Sequence, residues 1–455
     1  MPLLATSFIA NFFKSLFTDI FELLDGIMVC FSTNLSWEVA FSTFWFLFLI
    51  EFPRYYALDI CVAARHLATW RQRRSREAVA SRMLFIEKPL VSILVPGKNE
   101  GRHIYKLVKS LREQTYQNFE IIIVDDGSDD MTPLICKDLQ RAGFITKFFR
   151  MRIGGGKASA ANYAAAHASG KYIIHLDADS SLDRDAIEKI LLPFYFDRNI
   201  KGVGGCIKVR NAHDSLCSSV QALEYLKTIM VGRMGTNMLG IYHIISGAFG
   251  AFEVETLKQI GYWDIGPGLD GDITQKIRKA GYKVWFANNA VCMTNVPTSW
   301  RKLFKQRMRW SKSLVRFRIR KHRDILWSNR NFNFLNMVSN MENIIYDCWL
   351  NYVWFFYIVM LVFMNVDRFW EIMIIGYLIR IAFAIVAFGV IMIVSERPRE
   401  EFKLFPYVFL LTFYHGYFLR VTRLIAHTME FFFFSSYKDS WNPKKTSNIA
   451  RIEGI

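Results

Sequence analysis

Acidic side chains are scarce in this 455-residue sequence: 40 Asp and Glu stand against 57 Lys and Arg, a net charge of +17. An excess of that size points to an acidic partner, either nucleic acid or a lipid surface. No nucleic-acid-binding motif accompanies it, and the basic runs flank apolar stretches in a chain that is 52% hydrophobic. That argues for no nucleic acid and for a membrane protein with basic cytoplasmic surfaces. Cysteine is thinly spread: seven residues, at 30, 61, 136, 206, 217, 292 and 348, form no CxxC pair. An odd number so scattered, with no clustered histidine, excludes a disulfide framework and structural zinc, and suits reduced thiols. Dinucleotide and P-loop signatures are missing too. No GxGxxG follows the first predicted strand. GGGKAS (Gly154–Ser159) has Met151 where a Walker loop needs its first glycine, and Ala158 where it needs Ser or Thr.

What is present falls into segments. Over 1–35, Phe8, Phe12, Leu16, Ile20, Leu23 and Ile27 recur at three- and four-residue intervals, opposite polar positions. That predicts an amphipathic helix lying in the membrane interface, and the absence of a basic n-region argues against a cleavable signal. Residues 36–64 are long enough to span, although Glu51, Arg54 and Asp59 interrupt them. The arginine-rich stretch RHLATWRQRRSR opens a basic linker, 65–87, which the positive-inside rule places in the cytoplasm. Residues 88–298 alternate β-branched runs (VSILVP, EIIIVDD, KYIIHLDAD) with helical stretches at 101–114 and 158–168. That texture predicts an α/β domain with a mainly parallel sheet covered on both faces. Interfacial helices are expected over 299–335 and transmembrane helices over 336–435, with apolar spans at about 344–366, 372–394 and 404–425. A tail, 436–455, follows.

The chemistry is concentrated at strand ends. The first strand runs into VPGKNE (Val95–Glu100) and the second into VDDGSDD (Val124–Asp130). Ligands of open α/β sheets bind at those ends, where Asp125 and Asp126 can receive a nucleoside; a helix cap and tight turn use the same residues. The glycines before Lys157 let backbone amides and an ammonium approach phosphates. KYIIHL runs into Asp177-Ala-Asp179, a pair able to offer oxygens to Mg2+ or Mn2+ shared with a diphosphate. Downstream, IISGAFGAF (Ile244–Phe252) and GPGLDGDIT (Gly266–Thr274) precede a predicted helix. Asp270 and Asp272 are the carboxylates there that can accept a proton from an attacking hydroxyl, and one of them can instead cap the helix. Within KQRMRW, Gln306, Arg309 and Trp310 fall at i, i+3 and i+4 and share a helical face that Arg307 and Met308 do not join. A guanidinium suits a diphosphate, and an indole suits a sugar ring.

In this order, VDDGS, DxD, an acidic helix start and QxxRW ahead of apolar spans, the sequence resembles the membrane-integrated family 2 glycosyltransferases. These include cellulose, chitin, hyaluronan and poly-N-acetylglucosamine synthases. The resemblance covers about 88–313 by motif and the remainder by membrane layout. It implies a cytoplasmic Rossmann-like GT-A domain joined to α-helical transmembrane segments in the cell membrane, an inverting mechanism and a nucleotide-diphosphate sugar donor, UDP-sugar favoured. On it, Asp126 looks like the uracil-contacting carboxylate, with Asp125 its neighbour, and Lys157 a further donor contact. Asp177 and Asp179 look like the ribose and metal ligands. Asp270 is similar to the last acid of the family's TED or GDD motif, since Thr274 lies four residues on. Gln306 and Arg309 are expected to face the diphosphate, with Gly247 and Trp310 beside the acceptor. The sequence departs from the family at Leu269, where Glu or Asp is usual, and this leaves Asp272 a rival base. The expected partners are donor, growing polysaccharide, lipid bilayer and accessory export or regulatory subunits. Two other readings stay open: a transferase adding one sugar to a membrane lipid, and a non-catalytic channel or transporter.

Overall fold

The sheet grows from short β-branched runs whose side chains are buried on both faces, as a helix-covered parallel sheet requires. β1 (Val91–Gly97), β2 (Phe119–Asp125) and β4 (Tyr172–Leu176) are almost wholly buried. The other strands are β3 (Lys147–Arg150), β5 (Ser181–Leu182), β6 (Ile200–Val209), β7 (Phe249–Glu253) and β8 (Lys283–Thr294). Their spatial order is β3-β2-β1-β4-β7-β6-β8-β5. The computed structural model describes residues 43–264, 268–328, 330, 332–364 and 369–438. The amphipathic helix expected over 1–35, Cys30 and nearly all of the 436–455 tail lie outside them.

β1, β2, β3 and β4 are mutually parallel, with helices Gly101–Arg112, Thr132–Arg141 and Lys157–Ala166 between them. The sequence order runs outward from β1 in one direction and resumes at β4 in the other, so a crevice opens above Gly97 and Leu176. The sheet is mainly parallel, as expected: β6 and β8 share the direction of β1–β4, and β7 and the short β5 alone oppose it. β7 pairs antiparallel with both β4 and β6. The reason is local: the Asp177 N–H donates to the Ala248 carbonyl at 3.3 Å, so the loop before β7 lies at the carboxyl end of β4. From there β7 can only run back along it, with Leu176 opposite Phe249.

The basic stretch 65–87 is helical, covered by Leu58–Ala68 and Trp70–Glu87. The Trp300–Leu314 helix continues through wider turns to Lys321. Among the described residues two helices are long and apolar enough to cross a membrane, Phe334–Phe363 and Phe369–Val394. The stretch expected as a third span forms helices Val408–Phe413 and Leu419–Phe433, joined by Tyr414–Phe418. The charges that interrupt 36–64 all find partners on other helices, as charges in apolar surroundings must. Glu51 pairs with Arg420 and with Arg380 (3.3 Å), Arg54 with Glu342, and Asp59 with Lys227 at 2.6 Å.

Candidate active site

At the end of β2, the two acids of VDDGS do different work. Asp125 is buried; its Oδ1 accepts from the Ser128 N–H at 2.9 Å and from the Ser128 hydroxyl, and Arg150 lies 3.4 Å from its Oδ2. It ties the Gly127 turn, where φ is +77°, to the strand. Asp126 instead accepts from the backbone N–H groups of Gly155 (2.8 Å) and Gly156 (3.0 Å). A side chain at Gly154 would lie 2.8 Å from the Asp126 carbonyl, which is why this loop is glycine. VDDGS and GGGK, distant in sequence, are therefore one constellation.

Lys157 begins the helix after those glycines, and its ammonium pairs with Asp177 at the end of β4. Two positions on, Asp179 is held by Thr294 (3.5 Å), and Arg210 donates to its carbonyl at 3.1 Å. Desolvation first, and then the Asp177 charge, push the Asp179 carboxyl up to about 6. Glu100, which closes VPGKNE, is pushed up to about 7 by desolvation and then by Asp179 and Asp177. Sequence reasoning did not single out Glu100; its signal was only its place just past β1. Among the described residues no group of three or more His, Cys, Asp or Glu side chains forms a complete metal cage. Two adjacent carboxylates fit a hard cation that takes its remaining oxygens from water and phosphate, which is how Mg2+ binds in phosphate-transfer sites.

Asp270 reaches the same cluster from the other direction. It opens the Leu269–Lys279 helix, and Thr274 donates to its carbonyl at 2.6 Å while accepting from the Ile245 N–H at 2.9 Å. This bridge sets the acid beside the Ile244–Ala248 loop. A side chain at Gly247 would lie 2.3 Å from Asp270 Oδ1, and the Gly247 N–H donates to that carboxylate. Desolvation raises the Asp270 carboxyl, Lys157 opposes the rise, and Asp177 reinforces it. The Gly247 carbonyl accepts from His175 Nδ1 at 2.6 Å. A carbonyl can only accept, so Nδ1 carries the proton, and burial holds His175 neutral by lowering it to about 4. Asp272 faces elsewhere: its Oδ1 lies 2.7 Å from His322 Nε2 and 2.7 Å from Lys321 Nζ. Of the two candidate bases, Asp270 alone meets the Lys157–Asp177 cluster.

The QRMRW helix borders a second cavity, of about 150 Å3, towards the apolar helices. Arg307, Trp310, Glu224, Asp347, Arg423 and His427 line it, and none of Asp126, Lys157, Asp177 or Asp179 does. Trp310 is half exposed, and Gln306 Oε1 is buried with no hydrogen-bond partner. Arg307 departs from expectation. Although expected off the Gln306–Arg309–Trp310 face, it lies under the indole at 4.3 Å and donates to Glu224 at 2.7 Å. The i, i+3 spacing of Arg307 and Trp310 was the sign of the stack, whereas the ion pair left none, because Glu224 comes from the distant Leu216–Glu224 helix.

Residues 92–260 match the family described as Glycosyl transferase family 2. The poly-beta-1,6-N-acetyl-D-glucosamine synthase of Staphylococcus epidermidis is 31% identical over 222 residues, 49% of this chain and 53% of the relative. The enzyme of the same name from Staphylococcus aureus (strain COL) is 31% identical over 223 residues, with the same coverage of 49% and 53%. The chain thus spans about half the length of the curated relatives it matches. Among solved structures, a mannosyltransferase from Pyrobaculum calidifontis, in complex with GDP-Man and Mn2+, superposes with a TM-score of 0.51 at 19% identity. The superposition covers 82% of this chain and 97% of that one. It shows a shared fold. The crevice at the ends of β1, β2 and β4 therefore lies within the part of the chain that matches Glycosyl transferase family 2.

Proposed function

We propose that the protein is an inverting, membrane-embedded glycosyltransferase that polymerises a β-linked polysaccharide from a UDP-sugar and passes it outward through its own helices. UDP-N-acetylglucosamine is the first donor to consider, because the relatives at 31% identity are named for polymers of that sugar. The observation that carries the reading is the meeting of Asp270, Gly247, Lys157 and Asp177 at the carboxyl end of β4.

In this scheme Asp126 and the Gly154–Gly156 loop receive the nucleoside, and Lys157 draws the diphosphate to the end of β4. An acceptor hydroxyl lies between Asp270 and the donor. Asp270 takes its proton as the hydroxyl oxygen attacks C1, the bond from C1 to the diphosphate oxygen breaks, and the anomeric configuration inverts. Desolvation supports this role, since raising the carboxyl pKa makes it a better proton acceptor at neutral pH. Lys157 and Arg309 stabilise the leaving diphosphate. Mg2+ or Mn2+ bound by Asp177 and Asp179 would add positive charge at that diphosphate. Trp310 offers a flat surface to the acceptor sugar, and the charge-lined cavity beside it suits a polar chain leaving the site. The two long apolar helices support membrane embedding, with the basic 65–76 stretch on the cytoplasmic side.

The test is direct. Purified full-length protein is given labelled UDP-N-acetylglucosamine, UDP-glucose and GDP-mannose in turn, with Mg2+ or Mn2+, and the products are sized. The proposal predicts a polymer from one donor. A single glycolipid product would establish one-sugar transfer to lipid instead, and no turnover with any donor would favour a non-catalytic protein.

A further inference from the structure

Asp270 and Asp272 leave the first turn of one helix about 200° apart, since each residue turns the chain by about 100°. Asp270 faces Gly247, and Asp272 faces the segment that continues the QRMRW helix. That segment grips the turn closely. Phe317 occupies the space a side chain at Gly271 would need, with its ring edge 2.0 Å from the Cβ position. Beyond it, Lys321 and His322 each lie 2.7 Å from Asp272 Oδ1. Lys321 also pairs with Asp264 of the GYWD loop, and Lys276 of the same helix holds Asp264 at 2.6 Å. Asp272 is 6% exposed and His322 4%, so the contact excludes water. One turn earlier, Arg318 donates to the His243 carbonyl at 3.0 Å, just ahead of the loop that carries Gly247.

We propose that Asp272 is a positioning residue for Asp270: with Lys321, His322 and Phe317 it pins the Asp270 turn to the extension of the QRMRW helix. The carboxylate on Gly247 is then held from both sides. Thr274 fixes the backbone to Ile245 on one side, and the Asp272 clamp prevents the turn from rotating on the other. The clamp also links the base mechanically to the helix that carries Arg309 and Trp310, so that base and acceptor platform keep one geometry. A turn lacking the clamp would keep its helix through Thr274 but allow the base to wander, and displacements near 1 Å cost about 10²-fold in rate. This inference rests on the proposed role of Asp270.

The experiment uses purified full-length enzyme and compares Asp272→Asn, Asp270→Asn and the double variant, with kcat expressed per folded molecule. Asp272→Asn is expected to lower kcat on the order of tenfold or more, with donor KM within about twofold of wild type. In the Asp270→Asn background it should cause no further loss, since it acts only through that residue. An unchanged kcat for Asp272→Asn, or losses that add in the double variant, would overturn the clamp. Should Asp272→Asn not accumulate, His322→Gln, which leaves the Lys321 pair in place, carries the test. It predicts a several-fold fall in kcat at constant KM, and a wild-type kcat refutes the proposal. The two readings fail separately. An Asp270→Asn enzyme with full turnover removes the base itself, and the clamp loses its object. An inactive Asp270→Asn beside a fully active Asp272→Asn removes the clamp alone.

Discussion

Arg307 lies beneath Trp310, its guanidinium 4.3 Å from the ring centroid, and donates to the buried Glu224 at 2.7 Å. Tyr414 donates to the same carboxylate at 3.0 Å. The indole is thus backed by a cation that is itself fixed by an acid from another helix. Arg307→Ala would leave Glu224 buried without its cation, which costs about 3–5 kcal/mol, and the melting temperature of the purified protein should fall accordingly. Arg307→Lys keeps the charge and loses the planar stack, worth about 0.5–2 kcal/mol. That enzyme should fold and make shorter product, read by gel filtration of the labelled glycan.

Gly247→Ala puts a methyl group 2.3 Å from Asp270 Oδ1. One of the two must move. The expected result is a loss of turnover of about 10²-fold or more, with UDP affinity by calorimetry unchanged, since the nucleoside contacts proposed above lie at Asp126.

Lys157→Met removes the cation that opposes the rise of the Asp270 carboxyl. The sign follows directly: with the ammonium gone, Asp270 holds its proton to higher pH. The acid limb of the normalised rate profile should move up, and on the proposed role of Lys157 at the diphosphate kcat should also fall about 10²-fold. An acid limb that stays in place would separate Lys157 from Asp270.

Chelation by EDTA should abolish turnover, and Mg2+ or Mn2+ should restore it. Asp179→Asn should raise the cation concentration needed for half-activation by at least about tenfold, since the loss of an outer-shell partner alone has that effect. Activity that survives exhaustive chelation would exclude the metal.

Much of this was legible in the sequence because strand identity and strand-end chemistry are local properties. VSILVP, EIIIVD and YIIHL are buried β-branched runs, and each ends in the residues that line the crevice. The antiparallel β7 was not legible, because its direction depends on where the Ile244–Ala248 loop lies in space. Nor were the separate roles of Asp270 and Asp272. Both occupy one turn, and only the partners tell them apart: Gly247 comes before that helix in the sequence, Lys321 and His322 after it. Arg307 was misjudged on two counts: it stands three residues before Trp310 and so shares a face with it, and its partner Glu224 lies 83 residues away.

The most direct measurement is the turnover of Asp270→Asn beside wild type, in purified full-length protein supplied with UDP-N-acetylglucosamine and Mg2+. Loss of a positioned general base predicts a fall of about 10²–10⁴-fold, with UDP binding retained. A variant that elongates glycan at the wild-type rate would contradict the account.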